Sequence, residues 1–127
     1  MNRQCSLAVG ITGLVLLAIA TVALVGGLAG VAQADTTFRC TVRDVVVFKN
    51  RVHVQCTTTT LDGRDSIRFF AVSTNNATVA NRLMTIGTTA LVASRWFIAT
   101  YDSGDTSGDA FDCIHEDCRR LTAFGIE

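Results

Sequence analysis

The stretch FRCTVRDVVVF, residues 38–48, decides how this chain folds. Phe38, Cys40 and Val42 alternate on one side of an extended strand. After Arg43-Asp44 the apolar set moves to Val45 and Val47. A change of phase inside one strand marks a β-bulge, where one extra residue bends the backbone. Working outward, Lys49-Asn50 is the turn, and Arg51–Cys56 returns with Val52, Val54 and Cys56 inward and His53 and Gln55 outward. Thr57–Thr60 extends that strand, Asp62-Gly63 signals a second hairpin, and Ser66–Val72 makes the third strand.

Beyond it, Asn75-Asn76 offers an N-cap and Ala77–Ser94 reads as a helix. Ala80, Leu83, Met84, Gly87, Ala90 and Leu91 share one helical face. Its threonines and Gly87 give weak intrinsic propensity, so tertiary packing must hold it. Arg95–Tyr101 is a fourth strand, apolar on both faces. Asp102–Asp112 is a polar loop, and Arg119–Ile126 a fifth strand. Three strands, one helix and two strands, mainly β, is the order of a five-stranded OB-type barrel with its helix between strands three and four. An open antiparallel sheet with the helix across one face has the same order.

In front of the bent strand lies an export signal. Arg3 precedes an apolar stretch from Leu7 to Val31, whose dense part is only Leu14–Val25. Ala32-Gln33-Ala34 has the small-x-small pattern read by signal peptidase. The stretch is long enough to span a bilayer, which takes about 20 residues, but its glycines and short core favour cleavage over retention as an anchor. The expected organisation is a signal peptide over 1–34 and a secreted OB-like domain over 35–127, secreted or periplasmic, with no membrane contact once the signal is gone. Cys5 leaves with the signal.

Four cysteines remain: Cys40, Cys56, Cys113 and Cys118. An even count in a short exported domain indicates two disulfides. Three connectivities are open, of which two local pairs are favoured. A domain of 93 residues has a thin stability margin. A Cys40–Cys56 bridge would add roughly 3 kcal/mol and a Cys113–Cys118 bridge roughly 2 kcal/mol on the chain-entropy model.

Without Arg3, 10 basic residues face 11 acidic ones. That balance argues against a partner held mainly by phosphate neutralisation, so no nucleic acid is expected. Catalysis has little support. His53 and His115 are the only histidines, no serine sits in a nucleophile elbow, and no thiol is left free after export. Asp62 and Asp65 read as ordinary turn residues. No cofactor is implied. Asp102, Asp105, Asp109 and Asp112 have the carboxylate density of a calcium loop, but neither the EF-hand nor the nonapeptide spacing. Cys113, His115 and Cys118, completed by His53 or Asp117, have the residue types of a zinc site, although paired cysteines in an exported chain read first as a disulfide. Phe69, Phe70, Trp96, Phe97 and Tyr101 are the aromatic set, of which some must face outward; core packing plus a subunit contact is the first reading, and a ligand platform, with Trp96, Tyr101 and Phe70 as candidates, the second.

Size, signal, element order and paired cysteines resemble the small OB-fold B subunits of secreted bacterial toxins, of the subtilase-cytotoxin and typhoid-toxin type. Those subunits carry one cysteine pair across two early strands, the role of Cys40 and Cys56 here. A second pair, Cys-x-x-x-x-Cys, lies near their C-terminus, matching CIHEDC at 113–118. The resemblance implies a non-catalytic binding module that recognises a glycan or a cell-surface partner, as a homo-oligomer. This chain has only Asp35–Arg39 before its first cysteine, where those subunits have some tens of residues. Their sugar contacts therefore do not carry over. The alternative function is a monomeric cell-envelope protein, structural or inhibitory, that binds another protein through a sheet edge.

Overall fold

Residue 43 is the extra residue that the sequence pattern requires. In the computed structural model, which describes residues 35–127, the register of the first hairpin shifts between Val42 and Asp44. The signal segment expected over 1–34 lies outside the described residues. Strand β1 (Asp35–Val47) changes partner at this bulge. Its second half pairs antiparallel with β2 (Arg51–Asp62), and its first half, Asp35–Thr41, pairs antiparallel with β4 (Trp96–Asp102). The Cys40–Cys56 disulfide spans the switch, with Cα atoms 5.6 Å apart. A single bent strand thus belongs to both halves of the sheet.

The second hairpin joins β2 to β3 (Asp65–Ser73) through Gly63-Arg64. Gly63 has φ 63°, the conformation a type II′ turn demands at its first central position. Helix α1 (Ala77–Val92) follows, capped by the Asn76 side chain, which accepts from the Val79 amide at 3.2 Å. It buries Ala80, Leu83, Gly87 and Ala90, whereas Met84 and Leu91, expected on the same face, remain exposed. After β4 comes a short 3-10 turn, Ser107–Phe111, inside the segment read as a polar loop. Two short strands, β5 (Cys118–Arg120) and β6 (Ala123–Ile126), end the chain.

The sheet is a curled half-barrel of six strands in the order β5-β3-β2-β1-β4-β6. The strand count corrects the expected five. Arg119–Ile126 is broken at Leu121-Thr122 because its two halves serve opposite edges. β5 runs parallel to β3, and β6 antiparallel to β4. Between them the Leu121 amide donates to Ala71 O and the Thr122 amide to Thr100 O, both at 2.9 Å. One straight strand cannot follow both edges of a curled sheet. Inside the curl, Cys40, Val54, Cys56, Ile67, Phe70, Leu83, Phe97, Ala99 and Tyr101 are fully buried. A second, smaller cluster (Ala71, Phe111, Cys113 and Cys118, with Phe69 against it) forms on the outer face of β3, where the 103–117 loop folds back.

Candidate functional site

Alternation along β2 puts Val52, Val54 and Cys56 into the core and leaves Arg51, His53 and Gln55 outward. On β3 the same rule turns Phe70 and Val72 in and Phe69 out. Phe48, just before β2, completes an aromatic shelf across this outer surface. The His53 ring centroid lies 5.0 Å from Phe48 in an edge-on arrangement and 5.0 Å from Phe69 in a tilted one. The Arg51 guanidinium sits 4.1 Å from the Phe48 ring centroid. Its Nε is buried and has no hydrogen-bond partner among the described residues.

The loop before β5 walls the shelf. The Cys113–Cys118 disulfide closes it, with Cα atoms 5.2 Å apart. The Asp117 carbonyl accepts from the Arg68 and Phe69 amides at 2.9 and 3.0 Å, tying the loop to β3. Asp112 stands in the left-handed region at φ 62°, which aspartate tolerates better than most residues. Asn50 Nδ2 donates to its Oδ2, and Arg51 Nη1 lies 3.9 Å from the same oxygen. The result is a cleft of about 200 Å³ lined by Arg51, His53, Phe69, Asp112, Ile114, Asp117 and Cys118. A shallower hollow of about 610 Å³ shares Arg51 and Asp112 and continues over Phe48, Lys49, Asn50, Thr74 and Asn75.

Burial between the rings lowers the His53 pKa, the Arg51 charge lowers it further, and Asp44 opposes both, so the imidazole is neutral at pH 7. His115 behaves oppositely. Its Nδ1 is 2.8 Å from Asp109 Oδ2, and this contact, with the nearby carboxylates, raises its pKa.

Behind the loop lies a buried ion cluster. Arg119, 1% exposed, donates from Nε to Asp62 Oδ2 at 2.6 Å and from Nη2 to Asp65 Oδ2 at 2.8 Å. Its Nη1 reaches the His115 and Cys118 carbonyls. Asp62 also accepts from the Gly104 amide at 2.7 Å and from Ser103 Oγ. Burial works to raise the Asp62 pKa, but these donors outweigh it and hold the carboxyl below its ordinary value. The two aspartates read as turn residues therefore fasten the β2–β3 hairpin to the β5 edge.

The sequence candidates fall in separate places. Phe70 and Tyr101 are fully buried, their ring centroids 5.5 Å apart, and present no face to solvent. The Tyr101 hydroxyl is buried near Thr60, and burial raises its pKa. Trp96 is 49% exposed, but it lies on β4 opposite Thr41, with Arg39 5.9 Å from its ring centroid, on strands other than those of the shelf. The four loop aspartates do not converge. Asp102 shares a hydrogen bond with Asp35, which raises its pKa, and Asp105 binds Ser107 and Arg120. Asp109 binds His115, and Asp112 binds Asn50. Among the described residues no group of three or more histidine, cysteine or acidic side chains is arranged to hold a metal ion. Cys113 and Cys118 are joined to each other, which removes both thiolates from any zinc site.

The sequence marks His53 as outward and places Phe69 in the aromatic set without singling it out, and it leaves Phe48 and Arg51 unmarked. The signal was present: of the neighbours Phe69 and Phe70 one must point outward, and Arg51-x-His53 shares its side of β2. Neither a protein-family model, nor a curated protein, nor a solved structure matches this chain.

Proposed function

We propose that residues 35–127 form an exported, non-catalytic binding module of OB type that takes a glycan on the Phe48–His53–Phe69 shelf. The OB reading is supported by ring closure. If β5 and β6 count as two halves of one bent strand, every strand has two neighbours, in the order 1-2-3-5-4-1. In OB barrels the outer surface of strands two and three, between the loop joining strands one and two and the loop joining strands four and five, is the usual oligosaccharide and oligonucleotide face. The shelf lies on that surface, with Phe48–Asn50 at one side and the Cys113–Cys118 loop at the other. That coincidence of aromatic rings, polar side chains and position carries the proposal. Two disulfides accord with an oxidising compartment, and no described helix is long and apolar enough to cross a membrane.

The experiment is a broad glycan array probed with the exported protein and with Phe48→Ala and His53→Ala. Retention of a defined glycan set by the wild type, weakened in both variants, is expected. No retention on any glycan, or retention unchanged in both variants, contradicts the proposal.

One observation favours protein contact as a second reading. The outer side of α1 carries a single charge, Arg82, and exposes Met84, Leu91 and Val92 among its threonines. It suits either a homo-oligomer, as in the toxin B subunits that the chain resembles, or a protein partner in the cell envelope. Light scattering separates these: a ring runs near a multiple of the protomer mass, an envelope adaptor at one protomer.

A further inference from the structure

Resting on the glycan reading, we propose that the shelf is the middle of a longer track that takes at least three consecutive residues of an oligosaccharide chain, not one terminal sugar. Three hollows adjoin along β2 and β3 and share their walls. The cleft over His53 shares Arg51 and Asp112 with the hollow beside Phe48. On its other side it shares Phe69 and Asp117 with a further hollow of about 220 Å³, which Thr59, Ser66 and Arg68 complete. The cleft, at about 200 Å³, and this far hollow both fall below the roughly 300–1,000 Å³ of pockets that enclose a whole drug-sized ligand, so each suits a single ring. A strand rises about 3.3 Å per residue, so β3 covers roughly 23 Å from Ser66, in the far hollow, to Ser73, next to the Thr74 of the near one. That is a span of several sugar rings.

The backbone explains why the track continues past Phe69. Strict alternation would put Arg68 on the inward side with Phe70. The register of β2 and β3 shifts between Gln55 and Thr60, however, and opposite this irregularity the Arg68 and Phe69 amides both donate to Asp117 O. Ile67 and Phe70 are both fully buried, so the bulge leaves Arg68 and Phe69 together outside the core. A ring therefore stands in or between the hollows throughout: Phe48 in the near one, His53 in the cleft, Phe69 in the wall before the far one. Hydrogen-bonding groups follow the same course. Neither the Arg51 nor the Arg68 guanidinium donates to a described residue, and the carboxylates of Asp112 and Asp117 line the same hollows. Sugar hydroxyls donate and accept, so they suit both kinds of group. Both signs of charge occur along the track, and chain length, not ligand charge, is what its continuity distinguishes.

The test is an array that carries mono- to hexasaccharides of the malto-, cello- and chito-oligosaccharide series and of an acidic series, the oligogalacturonides. It is probed with the oxidised protein and with three variants. His53→Ala reports on the cleft, Asn75→Ala on the near hollow and Arg68→Ala on the far one. In the series that binds, the trisaccharide should be held about tenfold or more tighter than the monosaccharide, with little gain once the track is filled. His53→Ala should weaken every length. Asn75→Ala and Arg68→Ala should weaken the trisaccharide and longer chains and leave the monosaccharide unchanged. If the monosaccharide binds as tightly as the trisaccharide, or if both end variants leave the long chains unchanged, the track is wrong while the shelf remains a glycan site. If nothing binds at any length, the glycan reading falls and the track with it.

Discussion

Arg119 is the residue on which the β5 edge depends. Two carboxylates and two carbonyls surround its guanidinium, and Asp62 in turn is held by Ser103 and Gly104. Breaking such a cluster from one side leaves a buried charge without its partner. Arg119→Met is expected to lose about 3–5 kcal/mol in urea unfolding of the oxidised protein at pH 7. Adding Asp62→Asn and Asp65→Asn should recover part of that loss. An unchanged midpoint for Arg119→Met would contradict the assignment. The sign with pH follows from Asp62, whose folded pKa is lowered. Its contribution is present above the ordinary carboxylate range and fades as pH falls through the folded value. The histidines give a separate check. His53 is lowered, so the unfolded chain takes up its proton first, and stability falls as pH drops below the ordinary histidine value. His115 is raised, so its contribution is present in acid and is lost as pH rises through its folded pKa. An NMR titration should show His115 deprotonating at higher pH than His53, and Asp109→Asn should bring His115 back toward the ordinary value. The reverse order would refute both environments.

At the scale of elements, α1 is held by contact more than by propensity. A Cβ on Gly87 would lie 2.8 Å from Val54 Cγ2 and 3.1 Å from Val45 Cγ2. Both neighbours are β-branched side chains with stiff χ1, so they yield poorly. Gly87→Ala gains about 1 kcal/mol in helix propensity, but overpacking costs about 1–3 kcal/mol. A net loss of stability is expected in thermal unfolding, and a gain would show that the helix does not sit this close. Leu83→Ala, at a fully buried site, should cost about 2–5 kcal/mol. The elements show what could be read in advance. The change of phase at Arg43-Asp44 is a local pattern, and it located the bulge and hence the bend of β1. The alternation of Val52, Val54 and Cys56 likewise assigned both faces of β2. The break at Leu121-Thr122 was not legible, because it is set by two distant edges, Phe69–Ala71 and Thr100, not by any turn residue. The Arg119 cluster was hidden for the same reason: an arginine near the C-terminus and two hairpin aspartates reveal nothing until a parallel strand pair brings them together. Of the shelf, only the outward position of His53 followed from alternation. Its walls depend on where a loop folds.

In the whole molecule, each disulfide serves a different part. Cys40–Cys56 fixes the point where β1 leaves one partner for another, and Cys113–Cys118 shapes the loop that walls the cleft. Replacing both Cys40 and Cys56 by alanine is expected to cost about 2–5 kcal/mol in chemical unfolding. The curled sheet, whose two edges Leu121-Thr122 bridges, carries the shelf on its outer surface, while the loop supplies polar groups at its rim. On the proposed glycan reading, a sugar seated there should touch one histidine and leave the other alone. The most direct measurement is therefore histidine-selective NMR of the oxidised protein, titrated with the methyl glycosides of neutral and acidic sugars. The account predicts saturable shifts at the His53 ring and none at His115; a titration that leaves His53 unmoved, or moves only His115, contradicts it.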